Sequence, residues 1–136
     1  SGMDKANMKV TDVLRRLSEV AETQALEDPA WSMRTIESAF DGVPNSQLSG
    51  ILGVDAKTVG NWKTGKAIRD DKVDRVRLVA QCARFLSATF TPTGLSMWFN
   101  APRAGRPDRK TPVMLMDEDL AGAWTALTTF ARAGRG

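Results

Sequence analysis

The polar side chains whose types and spacing could do chemistry are concentrated in one stretch, residues 56–69. Lys57 and Asn61 lie four positions apart, so a helix would carry both on one face. On a helix in the major groove of DNA, lysine can donate to guanine O6 and N7, and asparagine can pair bidentately with adenine. The methyl group of Ala56 could meet a thymine methyl. The predicted base-contacting residues are Ala56, Lys57, Thr58 and Asn61.

A second set of side chains suits the sugar–phosphate backbone rather than the bases. One of them begins the preceding helical stretch, and the others follow the base-contacting residues. Phosphate contacts give affinity and salt dependence but carry no sequence information. The predicted phosphate-contacting residues are Asn45, Lys63, Thr64, Lys66 and Arg69.

Residues 45–66 have the pattern of a helix-turn-helix that would position these side chains. Two short helices that cross steeply need a small residue at their contact, which Ser49 provides. The turn needs a left-handed backbone, which Gly53 accepts without strain, and Asp55 can cap the second helix. The predicted motif core is Leu48, Ser49, Gly53, Val54, Val59 and Trp62. The alternative is a pair of neighbouring helices in a structural bundle.

Gly60 is unusual inside a helix, where glycine costs about 1 kcal/mol relative to alanine. It either allows close approach of the sugar–phosphate backbone or is merely tolerated. Residues 60–66 also fit the G-x-x-x-x-G-K start of a phosphate-binding loop. However, Ala67 stands where Ser or Thr should bind magnesium, and no hydrophobic strand precedes the segment. We therefore do not expect nucleotide hydrolysis.

The composition of the 136-residue chain excludes several enzyme classes, because it has no histidine and a single cysteine, Cys82. Ser-His-Asp and Cys-His catalysis and the usual His/Cys zinc patterns are therefore absent. One cysteine cannot form an internal disulfide, so nothing indicates an oxidising compartment. The sequence predicts a binding protein rather than an enzyme, with no cofactor and no metal.

The net charge of +3 hides an uneven distribution along the chain. Residues 1–55 hold five Lys/Arg against nine Asp/Glu, whereas residues 56–77 hold seven against three. A basic stretch after an acidic start is typical of a face that binds a polyanion. No apolar stretch approaches the roughly 18–20 residues that span a bilayer, and no signal peptide is evident. The sequence therefore predicts a cytoplasmic protein without a membrane partner.

Apolar residues recur at helical spacing almost throughout, which predicts a compact all-α fold of six to eight helices around a central helix-turn-helix. We expect a polar arm and helix in residues 1–27, the DNA-binding domain in 28–90, and a small helical domain in 91–136. The helices are predicted at about 12–24, from Asp28-Pro29 to Gly42, at 45–52, 56–64 and 70–89, after Thr91-Pro92, at 112–116, and from an Asp117 cap onward. The last helix should bury Leu120, Ala121, Trp124, Leu127 and Phe130.

The helix-turn-helix resembles the Xre/lambda-repressor class, in which a leucine–small pair and a glycine precede the recognition helix and a closing Gly-Lys. These features match Leu48-Ser49, Gly53, residues 56–64 and Gly65-Lys66. Over about residues 44–133 the chain is similar to the Xre/MbcA/ParS antitoxin family. That family adds a long helix, a short Trp-bearing helix, an Arg/Lys-Pro turn and a final helix, matching 71–89, 94–99, 109–116 and 118–132. The resemblance implies an antitoxin that represses its own operon and covers a toxin with its C-terminal region.

The loop at residues 102–110 is basic and interrupted by proline and glycine. Such a segment can lie in the narrow minor groove of A·T-rich DNA. The alternative is an ordered turn whose arginines pair with helix carboxylates. The residues of this candidate second DNA contact are Arg103, Arg106, Arg109 and Lys110.

Two classes of function therefore remain open. The first is a sequence-specific repressor bound to a double-stranded DNA operator, with residues 91–136 binding a toxin, a second copy of the chain or more DNA. Within this class, an antitoxin and a phage-type immunity repressor predict the same helix-turn-helix. The second class is a helical protein–protein adaptor that does not bind DNA.

Overall fold

The computed structural model describes residues 28–103 and 106–135, and this part of the chain forms seven α-helices and no strand. The helices are α1 Pro29–Ala39, α2 Asn45–Leu52, α3 Ala56–Lys63, α4 Asp70–Leu86, α5 Pro92–Phe99, α6 Pro112–Glu118 and α7 Leu120–Arg135. The predicted all-α class is confirmed. The helix predicted at 12–24 lies outside the described residues. None of the seven helices is both long and apolar enough to cross a membrane.

Three helices begin at a capping side chain followed by proline. The Asp28 carboxylate accepts a hydrogen bond from the Ala30 amide at 3.0 Å. The hydroxyls of Thr91 and Thr111 accept from the amides three residues later, each at 3.1 Å. Proline fits the first helical position because the amide hydrogen that it lacks would have no partner there. These starts follow from local sequence alone, and they were predicted.

The prediction that Asp117 caps the last helix is wrong. Helix α6 continues through Asp117 to Glu118, and α7 begins at Leu120. The cap is Asp119, whose Oδ1 accepts from the Gly122 amide at 3.2 Å. The carboxylate of Asp117 instead accepts a hydrogen bond from the guanidinium of Arg75 at 2.6 Å, so it is held within α6.

Helix α4 is the centre of the fold, because it packs about as extensively against α7 as against α1 and also contacts α2. Most of its apolar side chains are fully buried, and burying a valine or leucine side chain is worth about 1.5–3 kcal/mol. The fully buried residues of α4 are Val76, Leu78, Val79, Ala80, Cys82, Ala83 and Leu86. One hydrophobic cluster extends from α1 to α7. The core is thus continuous across residue 90, where the sequence predicts a domain boundary.

The buried face of α7 differs from the predicted one. Ala123, Leu127 and Ala131 are buried at intervals of four residues. Ala121 is exposed, and the bulkier Leu120, Trp124 and Phe130 are half-buried beside the contact. A helix that places alanines at its centre of contact can approach its neighbour closely, and the large side chains then fill the flanks. The sequence prediction centred the face on the large residues and was wrong about Ala121.

Candidate nucleic-acid interface

Helices α2 and α3, here called the helix pair (residues 45–63), are joined by a three-residue turn at 53–55. Gly53 has φ 72° and ψ 31°, the left-handed conformation that the sequence predicts. The amides of Gly53 and Val54 both donate to the Ser49 carbonyl, at 2.9 and 3.1 Å. Residues with a Cβ adopt this conformation only with strain. Glycine is therefore required at the first turn position by backbone geometry.

The start of α3 is fixed by Asp55, as predicted. Its carboxylate accepts a hydrogen bond from the Thr58 amide at 2.7 Å. Hydrogen bonds from Thr58 hold the pKa of Asp55 below its ordinary value, since they favour the charged carboxylate. The cap therefore acts most strongly when Asp55 is ionised.

The inner side of the helix pair is buried by apolar packing. Val59 and Trp62 of α3 are buried, with 0% and 4% of their surfaces exposed. Ser49 and Val54 are half-buried rather than enclosed. The residues of α2 that are fully buried are Leu48, Ile51 and Leu52. Because Val59 and Trp62 face inward, α3 turns a different face toward solvent.

The outward side of α3 carries the predicted base-contacting residues. Ala56 and Lys57 are exposed, and Thr58 and Asn61 are half-buried. The Asn61 carbonyl accepts from the Thr64 hydroxyl at 2.8 Å and from the Lys66 amide at 3.0 Å. These bonds use the main chain of Asn61. The side-chain amide of Asn61, which would contact a base, takes no part in these bonds.

The structure brings together three residues that the sequence analysis treated separately. The ammonium of Lys63 donates to Oδ1 of Asn45 at 2.6 Å. A Cβ placed on Gly60 would lie 3.5 Å from Nδ2 of the same asparagine, which is ordinary contact. Lys63 keeps two further N–H donors, and Asn45 keeps its NH₂ group. The pair therefore presents a positive charge and amide donors at the start of α2, where no side chain caps the helix and its dipole favours an anion.

The remaining phosphate candidates lie after α3. Thr64 and Lys66 are exposed, and Gly65 between them has φ 98°. Arg69 is also exposed, and its Nε lies 3.5 Å from Oδ1 of Asp71. Exposed ion pairs of this kind contribute about 0–1 kcal/mol. Arg69 could therefore leave Asp71 and pair with another anion at a small cost in free energy.

Most basic residues of the loop at 102–110 contact other side chains of the fold, unlike those of an open arm. The Arg103 guanidinium lies 4.7 Å from the centre of the Trp98 ring, and burial lowers its pKa. Arg106 donates two hydrogen bonds to Asp108, at 3.1 and 2.7 Å, and these bonds hold the pKa of Asp108 at about 2. Lys110 donates to Glu118 at 2.6 Å, which raises the lysine pKa.

Arg109 differs from the other basic residues of the loop. It is exposed and has φ 56°, a left-handed conformation that is uncommon for a residue with a Cβ. The ordered turn with carboxylate pairs was one of the two alternatives drawn from the sequence. The second DNA contact remains a prediction for Arg103, Arg106, Arg109 and Lys110.

Arg75 was counted in the basic stretch at 56–77, yet it is 6% exposed and adds little to the surface. Its Nε donates to the Ile51 carbonyl at 2.9 Å and its Nη2 to the Gly50 carbonyl at 3.2 Å. With the bond to Asp117, all the contacts of this guanidinium are internal to the fold. Sequence reasoning missed this role, although the apolar positions around Arg75 signalled it, because a buried charge must be paired.

Within residues 28–103 and 106–135, no cluster of three or more His, Cys, Asp or Glu side chains could hold a metal ion. No protein-family model matches the chain. No solved structure matches it significantly. One curated protein does match.

The chain is similar to an antitoxin. It is 30% identical over 78 residues to a probable mycobacterial cidal antitoxin from Mycobacterium tuberculosis. The aligned part covers 57% of this chain and 66% of that protein. This similarity agrees with the antitoxin resemblance inferred from the motifs.

Proposed function

We propose that this protein is a sequence-specific DNA-binding repressor that acts as the antitoxin of a toxin–antitoxin pair. The DNA-binding part of the proposal rests on one observation, which is that α3 has a buried face and an outward face. Val59 and Trp62 lie on the buried face, which leaves Ala56, Lys57 and Asn61 on the outward side. These outward residues are small or polar, as contact with base edges requires.

The dimensions of α3 suit the major groove. An α-helix with its side chains is about 10–12 Å across, which fits the groove width of about 12 Å. In a helix-turn-helix, the N-terminal residues of the second helix contact bases. The cap at Asp55 and the turn at Gly53 bring Ala56 and Lys57 to that end of the helix.

The phosphate contacts would flank the base contacts. The hydrogen bond from Lys63 to Asn45 places a cationic group beside the uncapped start of α2. Lys66 and Arg69 would contact phosphates beyond the far end of α3. Positively charged groups on both sides of a polar helix face favour a polyanion over a neutral partner.

The toxin partner is proposed from the antitoxin similarity. Residues 91–136 would bind the toxin or a second copy of the chain, while the helix pair binds the operator. A single helix-turn-helix contacts few base pairs, so dimerisation or a second contact is needed for useful specificity. The similarity favours an antitoxin over a phage-type repressor.

The loop at 102–110 is the proposed second DNA contact, and Arg109 is its best-placed residue because it is exposed. Arg106 and Lys110 would exchange their carboxylates for phosphates. If Arg109 contacts a phosphate, Arg109→Ala should reduce the slope of log K against log salt by about 0.9. An unchanged slope would indicate that Arg109 does not contact a phosphate and that the loop serves only the stability of the fold.

The function is tested by electrophoretic mobility shift on DNA upstream of the protein's own gene, with scrambled DNA of equal length as the control. We expect a shift that is stronger for the upstream DNA and weakens with salt. Equal shifts on both fragments would contradict sequence specificity, and no shift would indicate an adaptor. Co-expression with the product of the neighbouring gene tests the toxin partner, which should be growth-inhibitory alone and should copurify with this chain.

A further inference from the structure

The guanidinium of Arg75 closes the C-terminal end of α2. Its bonds to the carbonyls of Ile51 and Gly50, at 2.9 and 3.2 Å, occupy acceptors in the last turn of that helix. Carbonyls in a last turn lack intrahelical partners, and this end of the helix carries partial negative charge. A buried cation at this point therefore satisfies both the hydrogen bonds and the charge of the helix end.

The same guanidinium supports the turn of the helix pair. A Cβ placed on Gly53 would lie 3.0 Å from Cζ of Arg75 and 3.1 Å from its Nη1. The guanidinium therefore packs directly against the turn, and a Cβ at position 53 would require it to shift by a few tenths of an ångström. The direction in which α3 leaves the turn depends on where this group lies.

The third bond of Arg75 crosses to the C-terminal region. Nη1 donates to Oδ1 of Asp117 at 2.6 Å, at the end of α6. The two side chains of this ion pair differ in exposure: 8% of the Arg75 side chain is exposed, and 57% of the Asp117 side chain is exposed. One end of this ion pair is therefore fixed in the core, and the other is open to a binding partner.

We infer that Arg75 is a positioning residue that couples the C-terminal region to the DNA-binding helix pair, with Asp117 as its accessible switch point. A partner that contacts α6 and draws Asp117 to a cationic group of its own releases operator DNA. Without Asp117, the buried guanidinium loses its carboxylate partner, which is costly at a buried site. The guanidinium then shifts, and the turn at Gly53 shifts with it. This inference deepens the proposed function and rests on it.

The test uses Asp117→Ala in the full chain, with Asp74→Ala as the matched control. Both variants remove one exposed carboxylate that pairs with an arginine of α4, Arg75 at 2.6 Å and Arg77 at 3.5 Å, so both change the net charge equally. Asp74, however, lies within α4 and does not connect it to α6. Two quantities are measured for each variant: operator affinity at fixed salt, and hydrogen exchange of amides 45–64 without DNA.

We expect Asp117→Ala to weaken operator binding about 2- to 30-fold relative to Asp74→Ala, the range typical of coupled sites. Amide exchange should rise in residues 50–54 for Asp117→Ala only. Asp117→Asn keeps an acceptor oxygen and should restore part of both effects, which a general loss of stability would not do.

The two measurements separate the coupling from the proposed function. If Asp117→Ala matches Asp74→Ala in both affinity and exchange, the coupling is overturned while specific DNA binding stands. If exchange responds but the wild-type protein shows no sequence preference, the DNA-binding proposal fails and the coupling between α6 and the helix pair stands.

Discussion

At the scale of single residues, burial decides what each charge does. Lys57 and Arg75 both lie in the basic stretch at 56–77, but Lys57 is exposed and Arg75 is buried under the turn of the helix pair. A count of charges registers both equally. The apolar positions around residue 75 indicate a packed face of α4, but they do not specify the carbonyls and the carboxylate that pair with Arg75 there.

The base-contacting role is tested by Asn61→Ala and Lys57→Ala. Each should lower operator affinity by about 1–3 kcal/mol while leaving non-specific binding largely intact, because a lost bidentate contact affects only the matching base. Fluorescence anisotropy with operator and scrambled DNA measures both. Lys66→Ala is the comparison and should weaken both DNAs alike and flatten the salt dependence. An unchanged operator preference in Asn61→Ala would show that the proposed register of α3 is wrong.

Gly60→Ala separates stability from binding at one position. A new Cβ would make ordinary contact with Asn45 at 3.5 Å, and alanine favours a helix over glycine by about 0.5–1 kcal/mol. Urea denaturation should therefore show a more stable protein. If the glycine serves close approach of the DNA backbone, operator affinity falls in the same variant. A destabilised variant would contradict the finding that a Cβ makes only ordinary contact at this position.

At the scale of elements, the sequence predicts well what is decided locally. The caps at Asp28, Asp55 and Thr91 and the left-handed Gly53 each depend on residues within a few positions, and all were predicted. The start of α7 is different. Its sequence offers Asp117, Glu118 and Asp119, and the choice depends on Arg75, 42 residues from Asp117. Because the carboxylate of Asp117 pairs with Arg75, Asp119 is the residue that caps α7.

The cap of α3 should make the helix pair sensitive to acid. The pKa of Asp55 is lowered in the folded protein, so its contribution is fully present above the ordinary value of 3.8 and is lost as pH falls through the lowered value. Asp55→Asn keeps an uncharged cap. The melting temperature of the wild type should exceed that of Asp55→Asn at pH 7.

The difference between these two proteins should shrink below about pH 4, where carboxylates become protonated. Asp55→Ala, which has no cap, should melt below both at pH 7. Thermal denaturation followed by circular dichroism across this pH range measures all three. A difference between wild type and Asp55→Asn that stays constant with pH would show that ionisation of Asp55 does not stabilise α3.

At the scale of the whole molecule, one core joins the helices on both sides of residue 90 in the part of the chain that the structure describes. The cluster runs from Met33 and Ile36 in α1, through α4, to Leu127 and Ala131 in α7. The sequence predicts the class of the fold because apolar residues recur at helical spacing. It does not predict this continuity, since the periodicity of a helix does not state which neighbour its face will meet.

Cys82 provides a probe of that core. It is fully buried, and burial raises the pKa of its thiol to about 12. Only the thiolate reacts, so a disulfide reagent at pH 8 should label the native protein slowly and the urea-unfolded protein at once. The chain has a single cysteine, so the labelling rate reports opening of the core at α4. Rapid labelling without urea would contradict a closed core.

The contact between Gly53 and Arg75 has a consequence for how such chains can diverge. A Cβ at 53 would lie only 3.0 Å from the guanidinium carbon of Arg75 and would press against it, and Asp117 has its present partner only while Arg75 is there. Positions 75 and 117 should therefore change together among homologues, as residues in contact do, while position 53 stays glycine because of its φ of 72°. The exposed Ala56 and Lys57 carry no such constraint. Drift at those two positions could alter the DNA sequence preferred while the three linked positions stay fixed.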